Sequence, residues 1–459
     1  MRTGRITAES LGSKVFRDRY RLTYAYAAGA MYRGIASVEL VARMGRAGFI
    51  GFFGTGGLSL PEIERGIQYL QTRLTNGEPW GMNLLANPVH PARERETVDL
   101  YLRHRVRAVE AAAFTRMTPP LVLYRLRGLR RDGDGGVRCD NHVIAKVSRP
   151  EVAEAFMSPA PRPVVEQLLQ EGRITREQSA LATAVPMSSD ICVEADSAGH
   201  TDGAIPTVIL PAMLRLKDAM IRRHAYDEPI CMGLAGGIGT PEAAAAAFVM
   251  GADFVVTGSI NQCTAESGLS ADAKALLQEM NIQDTDYAPA GDMFEIGAKV
   301  QVLRKGVFFP ARANRLYALY AQYDSLDDLP PKQQQQLQNQ YFKRSFAAVW
   351  DEMKQYLERQ GQQAEIAKAE ANPKHKMALV FRWYFWYSTQ LALDGRRDDR
   401  VNYQVQTGPA LGAFNQWVKG TELEPFANRH ADDIARKMMT EAAEYLTRRF
   451  DALNEGAAL

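Results

Sequence analysis

Eight short apolar runs recur between residues 21 and 257, each followed by a small-residue turn and a segment with helical spacing. Strands that alternate with helices favour a parallel sheet, and eight such units match the size of a (β/α)8 barrel. A doubly wound sheet is the main alternative, because spacing alone does not exclude it. The runs are 21–28, 48–53, 80–85, 107–112, 142–147, 190–195, 229–234 and 253–257.

The repeat stops near residue 268, beyond which the sequence is helical and poor in strands. The aromatic segment 377–393 predicts a buried helix of a second core, with the wall of a ligand cavity as the alternative. The glutamine run 333–336 predicts a solvated helix face or loop, and 431–450 predicts an amphipathic helix that returns to the barrel. The expected parts are an N-terminal arm at 1–22, the barrel at 23–269, a helical domain at 270–420 and a C-terminal helix at 421–459.

The composition is that of an ordinary globular protein, with 46% hydrophobic and 24% charged residues. The net charge of +2 gives no reason to expect nucleic acid or an anionic membrane as a partner. No apolar run approaches the ~20 residues that a membrane span needs. The cysteines are far apart and form no CxxC metal-ligand pair, so a soluble cytoplasmic protein with reduced thiols is expected. They are Cys139, Cys192, Cys231 and Cys263.

Two glycine turns follow the last two apolar runs. Gly236 and Gly237 come after the seventh run, and Gly258 and Ser259 come after the eighth. Barrel enzymes often bind phosphate with the loops after strands seven and eight, where glycine lets phosphate oxygens reach backbone N–H groups. Thr240 suits the cap of the next helix, whose N-terminus favours an anion. The sequence therefore predicts a phosphate site, with two purely structural turns as the alternative.

A dinucleotide fingerprint fits the same glycines poorly. The GxGxxG pattern beginning at Gly237 would need a small residue at position 242, which is Glu242. The stretch GTGGLS at 54–59 is closer to the pattern, but the next apolar run has no acidic residue at its end to bind a ribose. A Rossmann-type site is therefore disfavoured.

Three other strand ends carry unusual residues. The third run contains Asn83, whose amide can donate to and accept from the edge of a heterocycle. The fifth contains Lys146, which is costly to bury without a negative partner; a reduced flavin, a phosphate or a nearby carboxylate would serve. The first run ends in a nearly bare backbone against which a flat ring could lie. That backbone belongs to Ala28, Gly29, Ala30 and Met31.

The sixth run ends in a polar turn that begins at Asp196 and includes Gly199 and His200. A histidine at a strand end of a barrel can give or take a proton near neutral pH. A structural histidine is the alternative interpretation of His200.

Long segments spread over nearly the whole chain resemble the PfaD-type enoyl reductases. These are the stand-alone, trans-acting enoyl reductases of polyunsaturated fatty acid and trans-acyltransferase polyketide pathways. The resemblance implies an FMN-binding (β/α)8 barrel with a largely helical substrate-binding domain late in the chain. The segments are YAYAAGAMYRGIASVELV, VIAKVSRPEVAEAFMSPAP, EADSAGHTDGAIP, GLAGGIGTPEAAAAAFVMGADFVVTGSINQCT, FFPARANRLYALYAQYDSL and NYQVQTGPALGAFNQW.

The resemblance also assigns roles to individual residues. Residues 28–31 match the segment beside the isoalloxazine ring, Asn83 and Lys146 match flavin contacts, and the glycine turns match loops that hold the FMN phosphate. His200 matches the histidine of the superfamily's EAGGH motif, which reads DSAGH here, so the role of that turn is less directly transferable. Asp196 and Gly199 of the same turn are expected to contact the cofactor.

The implied reaction has two halves: NADPH (or NADH) reduces FMN, which delivers hydride to the β-carbon of a 2-enoyl thioester. His200 or water would then protonate the α-carbon, and Lys146 is the second catalytic candidate. The substrate would arrive on an acyl carrier protein of a polyketide or fatty acid synthase. The basic segment YRLRGLRR at 124–131 is a candidate docking surface, or else a solvated basic face.

Two other functions are compatible with the same residues. One is a flavin oxidase that resembles nitronate monooxygenases and uses O2. The other is a non-catalytic flavin- or carrier-binding subunit of a synthase assembly, although such a protein has little need of intact glycine turns, Lys146 and His200 together. A dehydrogenase of the inosine-monophosphate type is disfavoured, because nothing around Cys263 marks an activated nucleophile.

Overall fold

The computed structural model describes residues 6–88 and 90–455. Eight parallel strands close into a barrel, in which the first strand pairs with both the second and the eighth. Each strand lies within one of the eight apolar runs or extends it by one residue, so the predicted (β/α)8 barrel is confirmed and the open doubly wound sheet is excluded. The barrel strands are Tyr26–Ala28, Ile50–Phe53, Gly81–Leu85, Ala108–Ala112, His142–Val147, Asp190–Glu194, Cys231–Ala235 and Val255–Thr257.

Helices follow the barrel strands, and several begin at the caps that the sequence indicates. Thr240 accepts a hydrogen bond from the N–H of Ala243, and Pro241 takes the first helical position. Ser59 and Glu62 form a reciprocal capping box at the start of another helix. The α-helices of this part are Lys14–Tyr20, Val38–Arg46, Leu60–Arg73, Pro91–Arg103, Pro119–Leu126, Pro150–Met157, Arg162–Gln170, Arg176–Leu181, Pro206–His224, Pro241–Val249, Ser259–Gln262 and Ala431–Glu455.

The chain divides into two compact units. The barrel unit comprises residues 1–197, 202–268 and 416–459, and the second unit comprises residues 198–201 and 269–415. The C-terminal helix Ala431–Glu455 belongs to the barrel unit, where it packs against Pro241–Val249 and Val38–Arg46. Across the described ranges 6–88 and 90–455, no helix is both long and apolar enough to cross a membrane.

The amino-terminal end of the barrel is closed by the first helix. The ring of Phe16 stacks on Phe254 with a centroid distance of 3.9 Å. Beside it, Arg19 forms an ion pair with Asp190 at the start of the sixth strand, and the hydroxyl of Tyr20 donates to Asp190 at 2.7 Å. The N-terminal segment therefore contributes to the barrel core.

A small antiparallel sheet in the second unit was not expected from the sequence. Strand Thr285–Pro289 pairs with Lys299–Leu303, which pairs in turn with the two-residue strand Gly199–His200. The third strand has only two residues, and Thr285–Pro289 begins with residues that are not buried, so the sequence pattern there is hard to distinguish from that of a loop.

The second unit has its own hydrophobic core around helix Pro373–Asp394. Trp383, Tyr384 and Phe385 are buried in it, whereas Trp386 is 47% exposed. The predicted buried helix is therefore confirmed. The glutamine run lies on a short helix, on which Gln335 and Gln336 are exposed as predicted but Gln333 and Gln334 are half-buried. The helices are Ala271–Gln278, Phe309–Gln322, Pro331–Gln336, the π-helix Leu337–Phe342, Phe346–Arg359, Gln363–Ala371, Pro373–Asp394 and Pro409–Trp417, the last of which crosses the unit boundary.

Candidate active site

A lysine between two glutamates lies on the inner side of the barrel. Lys146 pairs with Cys192 of the sixth strand, and its Nζ lies 3.0 Å from Oε1 of Glu194, two residues further along. Its side chain is only 16% exposed. Burial disfavours the charged form of Lys146, but Glu194 and then Glu110 outweigh this effect and hold its pKa above the ordinary value. A nearby carboxylate was one of the partners expected for Lys146, and Glu194 is that partner.

Glu110 of the fourth strand is the second carboxylate of this group. It is 1% exposed, and its Oε2 accepts a hydrogen bond of 2.9 Å from the N–H of Ala30. Burial raises the pKa of Glu110, and the charge of Lys146 and the Ala30 N–H only partly oppose the shift. The sequence analysis missed this residue, although an acidic residue inside an apolar run was a visible signal.

The backbone at residues 28–31 is held by the barrel on one side. The N–H of Gly29 donates to Thr257 O at 2.9 Å, and the N–H of Ala30 is taken by Glu110. An added Cβ at Gly29 would lie 3.3 Å from Glu110 Oε1 and 3.1 Å from Val256. Ala28 is fully buried, whereas Ala30 and Met31 are partly exposed. Contact of this backbone with a flavin ring stays a prediction.

Asn83 is close to the same group. Its Nδ2 donates to the backbone oxygen of Glu110 at 3.1 Å, and its own backbone oxygen accepts from Tyr101 and Thr55. The side chain is 6% exposed, so the barrel already fixes its orientation. Its predicted role at a heterocycle edge is untested.

The glycines of the GTGG stretch pack against the loop that follows the first strand. An ideal Cβ on Gly54 would lie 1.6 Å from the backbone oxygen of Met31, and Gly54 O accepts from the N–H of Gly34 at 2.8 Å. Close backbone packing therefore accounts for this glycine without any nucleotide.

Gly54→Ala is expected to lower the free energy of unfolding by about 1–3 kcal/mol, because the added methyl must displace the Met31 backbone. Urea denaturation would measure the loss. Gly133→Ala is the matched control, since nothing lies within 4 Å of its added Cβ. Equal stability of the two variants would contradict the packing argument.

The two glycine turns have the open backbone that a phosphate needs. Gly236 and Gly237 have positive φ of 89° and 76°. A Cβ on Gly236 would lie 2.6 Å from Ala195 O, whereas nothing lies within 4 Å of a Cβ on Gly237 or Gly258. Ser259 begins the short helix Ser259–Gln262, with Gly258 as its cap. The space beside Gly237 and Gly258 therefore leaves room for a phosphate group, whereas Gly236 packs against the turn at Ala195.

The polar turn after the sixth strand is divided between the two units. Asp196 belongs to the barrel unit, and its N–H donates to Ala204 O at 2.7 Å. Gly199, with φ of 84°, and His200 belong to the second unit as a strand rather than a turn. His200 Nε2 lies 2.9 Å from Asp292 Oδ1, and its side chain is 49% exposed.

The structure therefore brings most of the predicted barrel residues to the carboxyl ends of the strands. The contacts join residue 30 to Glu110, Asn83 to Glu110, Lys146 to Glu194, and Gly236 to the turn at Ala195. His200 and Gly199 are placed with the other unit.

The arginines of the basic segment 124–131 differ in exposure: Arg127, Arg130 and Arg131 are exposed, whereas Arg125 is buried. Arg125 is 3% exposed and donates to Asn141 O, Pro186 O and Ser189 Oγ. Arg130 forms an ion pair with Asp140 across a hairpin that leads into the start of the fifth barrel strand. The exposed arginines fit a solvated face, and a docking surface there stays a prediction. Both expectations are wrong for Arg125 alone, because its guanidinium satisfies buried oxygens at the amino end of the barrel.

Known proteins similar to this chain include synthase components. A family model described as the inserted helical domain of acyl-carrier-protein S-malonyltransferase matches residues 323–403. Polyketide biosynthesis protein PksE of Bacillus subtilis (strain 168) is 55% identical over 448 residues, which are 98% of this chain and 58% of PksE. A component of the polyunsaturated fatty acid synthase of Thraustochytrium sp. is 43% identical over 91% of this chain and 28% of its own length. The chain thus spans little more than half of PksE and less of the other relative.

Among solved structures, the enoyl reductase domain of MlnA, from the macrolactin biosynthesis cluster of Bacillus amyloliquefaciens, has 47% identity and a TM-score of 0.93. The alignment covers 96% of this chain and 100% of that domain. FabK of Thermotoga maritima has a TM-score of 0.55 at 14% identity over 95% of this chain and 98% of its own, which shows a shared fold alone. Because the MlnA domain aligns over its whole length, the chain belongs to the PfaD-type enoyl reductase family.

Proposed function

We propose that this chain is a trans-acting enoyl reductase that uses FMN and NADPH (or NADH) to reduce a 2-enoyl thioester on an acyl carrier protein. The observation that carries the proposal is the full-length similarity to the enoyl reductase domain of MlnA, at 47% identity. The open glycine turns and the buried Lys146 group at the carboxyl ends of the strands support it.

The residues that would hold FMN surround the mouth of the barrel. Gly236, Gly237, Gly258 and Ser259 would direct backbone N–H groups to the phosphate. The backbone at 28–31 would support the ring, with Asn83 and Lys146 at its edge. When bound, FMN supplies two-electron transfer between a reduced nicotinamide and a carbon–carbon double bond.

Lys146 would act as a fixed positive charge at the site. Its ammonium group is held by Glu194, and Glu110 lies close enough to act on its charge. Such a preorganised charge can stabilise negative charge that develops during reduction without reorganising. Asp196 would support the glycine turn, since its backbone oxygen lies beside Gly236.

His200 would supply the proton that the α-carbon needs. Burial tends to raise the pKa of Asp292, but the hydrogen bond and charge of His200 lower it overall. The contact with Asp292 Oδ1, at 2.9 Å, also orients the imidazole through its Nε2. This role for His200 is proposed from its match to the family's histidine motif.

His200→Asn is expected to lower kcat by about tenfold, less than the ~100-fold typical of a general acid, because water can reach this exposed group. The test is the pH profile of kcat, which should lose its dependence on an acidic group in the variant. An unchanged profile with unchanged kcat would show that His200 donates no proton.

The expected partners are an acyl carrier protein and the synthase that contains it. Two features support these partners: the family-model match at 323–403 and the similarity to polyketide biosynthesis and fatty acid synthase proteins. A cytoplasmic location, expected from the cysteines, stays a prediction; all four cysteines are buried.

Anaerobic visible spectroscopy tests the function directly. The purified protein should be yellow, lose colour with NADPH, and regain it when a 2-enoyl pantetheine thioester is added. Colour that returns only with air or a nitronate would favour the oxidase. Tight FMN binding without turnover would favour the non-catalytic role, and a protein that refuses FMN would contradict the flavin proposal.

A further inference from the structure

A second concave feature lies on the carboxyl rim of the barrel. A cavity of about 370 Å³ opens between the segments that follow the third and fourth strands, which end at Leu85 and Ala112. This volume is within the range of small-molecule sites, which begins at roughly 300 Å³. The cavity is on the same rim as Asn83 and Glu110, but none of the residues assigned to FMN lines it.

One wall of the cavity is fixed by a buried carboxylate. Glu94 is 4% exposed, and it accepts hydrogen bonds from Thr118 Oγ1 and, at 3.2 Å, from the N–H of Asn87. The Asn87 side chain accepts in turn from the N–H of His90 at 2.8 Å. Both oxygens of Glu94 are thus engaged with the wall, which gives the cavity a defined shape.

Two exposed arginines line the cavity, and Arg116 is close enough to Glu94 for its charge to oppose the effect of burial, which raises the pKa of that carboxyl. Arg95 and Arg116 are exposed, and among residues 6–88 and 90–455 neither forms an ion pair. On the same helix as Arg95, Arg93 is paired with Glu96 and Arg103 with Glu64. A planar guanidinium matches phosphate geometry through paired hydrogen bonds, so two exposed guanidinium groups at one cavity that form no ion pair among the described residues favour a phosphate ligand.

A phosphate bound in this cavity would be distinct from the phosphate of FMN. The glycine turns follow strands seven and eight, whereas the cavity follows strands three and four, on the opposite side of the closed barrel. We infer that the cavity binds a phosphate group of one of the two co-substrates, an inference that rests on the proposed function. Both the nicotinamide dinucleotide and the carrier's pantetheine arm bear such a group.

Isothermal titration calorimetry on the FMN-loaded protein tests the inference with two probes, 2′,5′-ADP and 4′-phosphopantetheine. At least one should bind, and Arg95→Ala and Arg116→Ala should each weaken it by about tenfold. Binding of 2′,5′-ADP identifies the nucleotide as the source, and binding of phosphopantetheine identifies the carrier arm.

Arg222→Ala is the matched control, because Arg222 is an exposed arginine at the end of helix Pro206–His224, which leads to the amino end of the seventh strand. It should leave probe binding unchanged. Binding of neither probe, or equal binding by all variants, would overturn the inference. The visible flavin spectrum of each variant is recorded in parallel, so failure at this cavity is distinguishable from failure of the FMN site.

Discussion

Lys146→Met is expected to destabilise the barrel by about 3–5 kcal/mol and to abolish activity. Methionine keeps the length of the side chain but removes the charge between Glu110 and Glu194. Glu110 is 1% exposed and Glu194 only partly so, and both carboxylates would then lack their cation. Breaking a buried pair costs more than the pair contributes, because an uncompensated charge stays in the core. Urea denaturation of the wild type and the variant would measure the difference.

The loss should depend on pH in a defined direction. Burial gives Glu110 a higher pKa in the folded chain than in the unfolded chain, so the folded state holds this proton more tightly. The free energy of unfolding therefore falls as the pH rises from the unfolded pKa, about 4.3, to the folded pKa. Among the groups that lower the pKa of Glu110 in the folded chain, Lys146 has the largest effect. Removing it in Lys146→Met should therefore raise this folded pKa further and widen the pH range over which stability is lost. The free energy of unfolding that Lys146→Met loses relative to the wild type is therefore expected to be larger near pH 8 than near pH 4.

Lys14→Met is the matched control, since it also removes a lysine from an ion pair, but one with a 78% exposed side chain. Little change is expected there. Adding Glu194→Gln to Lys146→Met should restore part of the lost stability, because one of the two unpaired charges disappears. A Lys146→Met protein with wild-type stability, or with the same deficit at every pH, would show that the carboxylates do not depend on this lysine.

The architecture was predictable because its signals are local. Each barrel strand is an apolar run bounded by turn residues, and Thr240 and Pro241 mark a helix start by their own chemistry. The glycine turns were predictable for the same reason, since their position after the last two strands follows from counting.

The partners of Lys146 were harder to predict because they depend on register. Glu110 pairs with Ile144 and Lys146 pairs with Cys192, so Lys146 is diagonal to Glu110 on one neighbouring strand and to Glu194 on the other. Residues two apart on adjacent strands share a face. Once the closed barrel is assumed, acidic residues inside the fourth and sixth runs are the expected partners. The strand at His200 could not be predicted in this way, because it pairs with Val300, which is remote in sequence and lies outside the repeated barrel units.

Gly258→Asp is expected to lower the affinity for FMN by several hundredfold, about 3–4 kcal/mol, while the protein without FMN keeps its stability. The position has φ of −128°, and nothing lies within 4 Å of an added Cβ, so the side chain has room. Its carboxylate would occupy the space where the phosphate is expected. Two unit charges about 4 Å apart repel by about 4 kcal/mol at a protein surface. Fluorescence titration of the apoprotein with FMN would measure the affinity.

Gly258→Ala and Gly258→Asn separate the causes of that loss. Alanine adds the same Cβ without charge, so its effect reports any strain of the backbone. Asparagine has nearly the size of aspartate, so the difference between the two variants reports the charge, and only that difference should shrink at high salt. Equal affinities for the Ala, Asn and Asp variants would place the phosphate elsewhere. Aspartate and asparagine differ little in size or in the backbone strain they cause. A loss of FMN affinity confined mainly to the aspartate variant would therefore identify Gly258 as part of an anion site.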